Sequence, residues 1–155
     1  MPMHEDGKMA QIKPQIPVAV ALIKNDQGQV LLARRNEPDL EGAHDKWELV
    51  GGKVEFDETP EQTAVREVKE ETGLDVEIIS MVPKIRINYW TRKGDGITYK
   101  VLLLPFMCKI VGGELHTGDF DHKISELKFV EPGELGNYDM LPLDKEIILG
   151  NINNF

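Results

Sequence analysis

The stretch GGKVEFDETPEQTAVREVKEETGL, residues 51–74, decides how the rest of the chain is read. Its second half carries the punctuation of a helix. Thr59 is a good N-cap, Pro60 suits the first helical position, Gln62 completes a capping-box pattern, and Gly73 is a natural terminator. The spacing predicts a helix over 60–72, with Ala64 and Val68 one turn apart on a buried face. On such a helix Glu67, Glu70 and Glu71 stand at i, i+3 and i+4 and share one face. Like charges at that spacing destabilise a helix by roughly 0.2–0.5 kcal/mol per pair. Three on one face therefore ask for a cation, and hard oxygen ligands suit Mg²⁺ or Mn²⁺. A solvated acidic face, balanced by Arg66 and Lys69, is the plainer alternative for these three residues taken alone.

The flanks add to this. Glu58 lies eight residues before Arg66, just outside the helix start, where a carboxylate can pair with an arginine and hold the loop against the helix. Residues 47–50 read as a short apolar strand closed by Gly51-Gly52, glycines that let backbone approach a ligand closely. Upstream, the apolar run 16–24 reads as a buried strand, 25–29 as a turn, 30–35 as the returning strand and 36–45 as a loop punctuated by Pro38 and Gly42. Downstream, 76–90 is a strand region interrupted at Pro83, and 91–96 is a polar turn. Residues 97–111 form the partner strand, with Pro105 at a bulge, and Gly112-Gly113 ends it. A further strand over 125–131 and a C-terminal helix over 142–152 complete the order. Strands, helix, strands, helix implies an α/β (α+β) domain with a layered mixed sheet, expected over residues 14–155 behind a polar tail at 1–13.

Bulk properties narrow the function classes. A chain of 155 residues fits one domain with one core. Its net charge of −9 argues against a broad basic surface for nucleic-acid backbone. An anionic ligand would need something positive between it and the protein, and a divalent cation is the economical candidate. No segment approaches the ~20 apolar residues of a membrane span, and the N-terminus lacks an apolar signal core. The single cysteine, Cys108, excludes an internal disulfide and fits a reducing compartment, so a cytoplasmic location is expected. Cys108 lies in an apolar run and reads as a small buried hydrophobe. His4, His44, His116 and His122 show no metal-ligand spacing.

Together these residues resemble the signature of the Nudix hydrolases: Gly, five residues, Glu, seven residues, Arg-Glu, an aliphatic residue, any residue, Glu-Glu, any residue, Gly and an aliphatic residue. Here it runs from Gly52 through Glu58, Arg66, Glu67, Val68, Glu70, Glu71 and Gly73 to Leu74, with every defined position filled. Two neighbours depart from common family sequence. Val50 stands where a proline often precedes the glycine pair, and Asp57 where a glycine often precedes the glutamate.

The resemblance implies an α/β/α sandwich with the mixed sheet between helices, the 60–72 helix on one side and the 142–152 helix on the other. It implies divalent-metal-dependent hydrolysis of a nucleotide's diphosphate linkage. Glu67, Glu70 and Glu71, with the Gly51 carbonyl, would hold Mg²⁺ or Mn²⁺, and Glu58 and Arg66 would form a supporting ion pair. Glu55 would add a carboxylate at the loop. The base would be Glu67 or Glu70, or a later-loop carboxylate among Asp119, Asp121 and Glu126. Outside the signature, Arg34 and Arg35 point to opposite strand faces, and one is a candidate for phosphate. Tyr89, Trp90 and Tyr99 are candidates for base stacking or for core filling. Asp144 falls where some MutT-like members place a base-reading residue, or it N-caps the final helix. The expected substrate is a nucleoside triphosphate, damaged or non-standard, split to monophosphate and pyrophosphate. Alternatives are an ADP-ribose, nucleotide-sugar or dinucleoside polyphosphate pyrophosphatase, and a non-catalytic nucleotide-binding module. Homodimers are common among such proteins, but no interface is legible here.

Overall fold

The computed structural model describes residues 13–116 and 123–154. The expected tail, His4, Asp119, Asp121 and His122 therefore lie almost wholly or wholly outside the described residues. Within them a mixed sheet of eight strands runs β1 (Gln15–Lys24), β2 (Val30–Arg35), β3 (Trp47–Glu48), β4 (Val50–Lys53), β5 (Leu74–Met81), β6 (Arg86–Thr91), β7 (Thr98–Gly113) and β8 (Ile124–Val130). Two helices accompany it, α1 (Pro60–Thr72) and α2 (Pro142–Asn151).

The apolar run in β1 is continuous because both faces of the strand are covered. Ala19, Ala21 and Ile23 join Ala64 and Val68 of α1 in one core cluster. Val20 and Leu22, facing the other way, join Ile147 and Ile148 of α2 in a second. The helices thus lie on opposite faces of one sheet, the expected α/β/α sandwich. β1 pairs parallel with β7, with Ala19 beside Leu104 and Ala21 beside Phe106. Every other pairing is antiparallel, including β1 with β4 and β2 with β8.

Three expectations change. Gly51 and Gly52 do not close a strand but sit inside β4, paired with Val20 and Ala19. The chain breaks at Leu49 instead, whose N–H leaves the sheet and donates to Asp144 Oδ2 at 2.8 Å. Pro105 makes no bulge, pairing in register with Val20. It falls between the stretch of β7 paired with β6 and the stretch paired with β5, so its missing N–H interrupts neither ladder. The register shifts lie elsewhere, in β5 between Asp75 and Val76 and between Ile78 and Ser80, and in β2 between Arg34 and Arg35. Finally, Asp144 does not cap α2. Leu141 occupies the cap position, and Asp144 sits buried in the first turn.

α1 forms as its punctuation predicts. The Thr59 hydroxyl accepts from Gln62 N, the Gln62 side chain accepts from Thr59 N, and Gly73 closes the helix at φ 82°. The two-faced core makes a testable contrast. Ile148→Ala, at a fully buried site on the α2 face, should cost about 2–5 kcal/mol in urea unfolding. Val111→Ala, at a half-exposed position, should stay within about 0.5 kcal/mol. Equal effects at the two sites would mean that α2 does not seal a core.

Candidate active site

The site grows from a close approach between β4 and α1. A Cβ on Gly51 would collide with the Ala19 carbonyl oxygen, and one on Gly52 would collide with the Glu67 carboxyl group. Glycine at both positions lets the strand pass directly beneath the acidic face of the helix. The intervening loop is fixed by Glu58. This carboxylate accepts from Arg66 Nε at 2.7 Å and Nη2 at 2.9 Å, from the Thr63 hydroxyl at 3.0 Å, and from Glu55 N at 3.2 Å. Arg66 then spends its remaining nitrogen on the acidic face, with Nη1 3.0 Å from Glu67 Oε1 and 3.1 Å from Glu70 Oε2.

The electrostatics follow. Hydrogen bonds from Arg66 hold the Glu58 carboxyl at about 2, well below the usual carboxylate range. Glu67 is raised, because burial outweighs the opposing charge of Arg66. Two neighbouring carboxylates are thus driven in opposite directions.

This junction opens into a cleft of about 670 Å³, within the usual size range of small-molecule sites. Gly51, Gly52, Glu55, Glu67 and Glu71 line one part of it. Arg35, Glu37 and Glu48 also line it, as do Trp90, Arg92, Tyr99 and Asp144. Arg35 makes Nε–Oε2 and Nη2–Oε1 bonds to Glu48 at 2.5 and 2.6 Å and one to Glu37 at 3.0 Å. Burial opposes its charge, but those two carboxylates keep it firmly protonated. Asp144 is 4% exposed, and burial, reinforced by the charge of Glu48, pushes its carboxyl up to about 7. Near neutrality it can therefore both donate and accept a hydrogen bond.

Other candidates fall elsewhere. Arg34, on the opposite face of β2, pairs loosely with Asp45 and Glu126 at 3.8 and 3.9 Å and does not line the cleft. Glu126, its partner, does not line the cleft either, and Tyr89 projects to solvent. His44 accepts from Glu37 N at 3.0 Å through Nδ1. Burial pushes the Cys108 thiol up to about 12, as befits a core residue and no nucleophile. Glu37 and Glu48 are cleft residues that the sequence reading missed. The alternation of buried Trp47 and Leu49 around Glu48 was the available signal for the second.

The donors fit a hard divalent cation in kind: Glu55, Glu67 and Glu71 carboxylates around a glycine cradle. Among the described residues, no three acidic, His or Cys side chains are already gathered on one point. Arg66 stands between Glu67 and Glu70 instead, so an ion held by both would displace that guanidinium nitrogen.

The NUDIX domain profile matches residues 13–149. The chain belongs to the Nudix family. Members of this family are pyrophosphohydrolases that generally use divalent metal ions. The "ADP-ribose pyrophosphatase" of Methanocaldococcus jannaschii is 32% identical over 130 residues, 83% of this chain and 67% of that one. The "8-oxo-dGTP diphosphatase" of Escherichia coli K12 is 36% identical over 75 residues, 48% of this chain and 57% of that one. Among solved structures, a MutT protein from Methanosarcina mazei Go1 superposes with a TM-score of 0.72 at 26% identity, over 94% of this Nudix chain and 97% of that one.

Asp144 supplies a pH test. Its folded value of about 7 lies above the ordinary 3.8. Between those values the folded chain keeps a proton that the unfolded chain has lost, so this group lowers stability as pH rises. The melting temperature of Asp144→Asn, which retains an oxygen for Leu49 N–H, should rise relative to the parent between about pH 4 and 7. A constant difference across that window would mean that Asp144 titrates normally.

Proposed function

We propose that this Nudix chain hydrolyses a nucleoside triphosphate to its monophosphate and pyrophosphate, with Mg²⁺ or Mn²⁺ held by Glu67, Glu70, Glu71 and the Gly51 carbonyl. The observation that carries the substrate assignment is Asp144, a buried carboxyl in the same cleft as Glu67 and Glu71 whose burial lets it keep a proton up to about pH 7. A group that can donate and accept at once suits the hydrogen-bonding edge of a base. Trp90 and Tyr99 supply aromatic surface in the same cleft.

A bound divalent ion supplies phosphate neutralisation and a lowered pKa for water. The chain's own residues do the rest. Glu58 and Arg66 fix the loop between β4 and α1, so the acidic face meets the glycine cradle at a set distance. Glu67, half-buried and raised by that burial, would take the proton of the attacking water, with Glu70 one turn away as the other candidate. Arg35, held in position by Glu37 and Glu48, lines the same cleft and is the guanidinium we assign to a phosphate oxygen. We place this activity in the cytoplasm, where nucleotides are the abundant diphosphates.

The second reading is ADP-ribose cleavage. It is favoured by the reach of the M. jannaschii relative, which aligns with 83% of this chain against 48% for the E. coli one. Products separate the two: pyrophosphate and a monophosphate from the first, AMP and ribose 5-phosphate from the second. A non-catalytic module is disfavoured because no carboxylate of the signature is missing.

The test is product analysis over ordinary and oxidised nucleoside triphosphates, ADP-ribose, nucleotide sugars and dinucleoside polyphosphates. Chelation should abolish turnover and added Mg²⁺ restore it. Glu70→Gln should lower kcat by about 100-fold or more while leaving urea stability nearly unchanged. Near-normal turnover of that variant in Mg²⁺ would remove Glu70 from the site. Binding without turnover by the parent would establish the non-catalytic reading.

A further inference from the structure

One wall of the cleft is tied to another by contacts that neither catalysis nor the core requires. Loop residues 36–45 connect β2 to β3, and Pro38, Asp39 and Leu40 from it line the cleft. The loop is internally ordered: Leu40 N donates to Glu37 O, while Ala43 N and His44 N both donate to Leu40 O, at 2.9–3.0 Å. Opposite it stands the β6–β7 hairpin, whose Trp90, Arg92 and Tyr99 line the same cleft. The Arg92 guanidinium lies over the Tyr99 ring at 4.6 Å and bonds to Asp95 at 3.4 Å, which stiffens the hairpin tip.

The two segments meet at two points. Lys93 Nζ is 2.5 Å from Glu41 Oε1. Gly42 lies flat against the Trp90 indole, so that an added Cβ would come within 2.6 Å of Cζ3. This glycine has an ordinary φ, so its small size is used here for the close approach alone. Both contacts join segments about fifty residues apart in sequence, and neither is a rung of a sheet ladder, although the Trp90 ring also packs on the edge of the core cluster under α2.

We infer that loop 36–45 and the β6–β7 hairpin form a two-part clamp over the cleft, closed by the Glu41–Lys93 ion pair and by Gly42 on the Trp90 indole, and that these contacts part to admit ligand. The construction suits a reversible closure. The ion pair is exposed, 74% on the Glu41 side and 57% on the Lys93 side, so it is screened by water and weak. The glycine–indole contact is small and apolar. Their loss leaves both sheet and helices intact. Glu41, Gly42 and Lys93 act here as positioning residues and touch no reacting atom. Trp90 lines the cleft and packs on both Gly42 and the core cluster under α2, and opening removes only its contact with Gly42.

The experiment needs no substrate, so its outcome is separable from that of the proposed hydrolysis. Acrylamide quenching of tryptophan fluorescence reports Trp90, with Trp90→Phe subtracting the buried Trp47. Amide hydrogen exchange reports residues 40–46 and 91–97. Glu41→Lys should raise exchange in both segments by about two- to fivefold, the range of an exposed ion pair. The charge-exchanged double variant Glu41→Lys/Lys93→Glu should restore parental values. Gly42→Val should increase quenching of Trp90 more than the charge variant does, with the urea midpoint unchanged. Unchanged exchange in Glu41→Lys together with unchanged quenching in Gly42→Val would overturn the clamp. So would exchange that rises in Glu41→Lys but is not restored by the double variant.

Discussion

The guanidinium of Arg66 is the interaction on which the site depends. A helix with Glu67, Glu70 and Glu71 on one face is self-repelling, and it lies against a strand whose glycines bring it closer still. Arg66 relieves part of the repulsion from within the same helix and also reaches back to Glu58, so that one side chain bridges Glu67 and Glu70 and pins the loop that precedes them. Arginine suits the task where lysine would not, because its planar fork can meet one carboxylate with two nitrogens and still present a third to others. Glu58, in return, is a carboxylate held ionised far into acid, so the pin persists wherever the fold does.

That arrangement explains why the site was legible in the sequence to the extent it was. The cap, the proline, the terminator and the carboxylate spacing are all local, and local chemistry determines local geometry: α1 begins and ends where its punctuation says. The two-faced burial of β1 was legible too, because a run without polar alternation has no solvent side. What failed was non-local. Nothing near Leu49 announces that its N–H will leave the sheet for a carboxylate 95 residues away. Asp144 reads locally as a helix cap, but Leu141 and Pro142 start the helix before it, so the carboxylate is carried inside. Likewise Arg34 and Arg35 are equivalent in sequence. Only the side of the sheet on which Glu48 lies decides that Arg35 enters the cleft.

The same long-range ties give the cleft its division of labour. Trp47 N–H donates to Asp139 O and Trp47 O accepts from Leu141 N, so the segment before β4 is bound to the lead-in of α2 by two backbone bonds. The carboxylate end of the cleft and the Asp144 end are therefore parts of one rigid connection, running from α1 through β4 and Leu49 to α2. Chemistry on phosphate requires fixed distances of this kind, because a misplaced charge loses most of its effect on a developing transition state.

The remaining walls are built on different terms. Loop 36–45 and the β6–β7 hairpin are held by an exposed ion pair and one glycine contact, and both carry cleft-lining residues. A nucleotide is long, and it must be surrounded without being trapped. Fixed walls around the scissile linkage combined with weakly joined walls around the rest of the ligand meet both demands. The acidic charge of the chain makes the second demand more pressing. Arg35 meets an anionic ligand only in the company of Glu37 and Glu48, so contacts between protein segments add to the enclosure. The clamp and the acidic face of α1 are in this sense complementary: one encloses the cleft through weak contacts between segments, the other concentrates carboxylates along it.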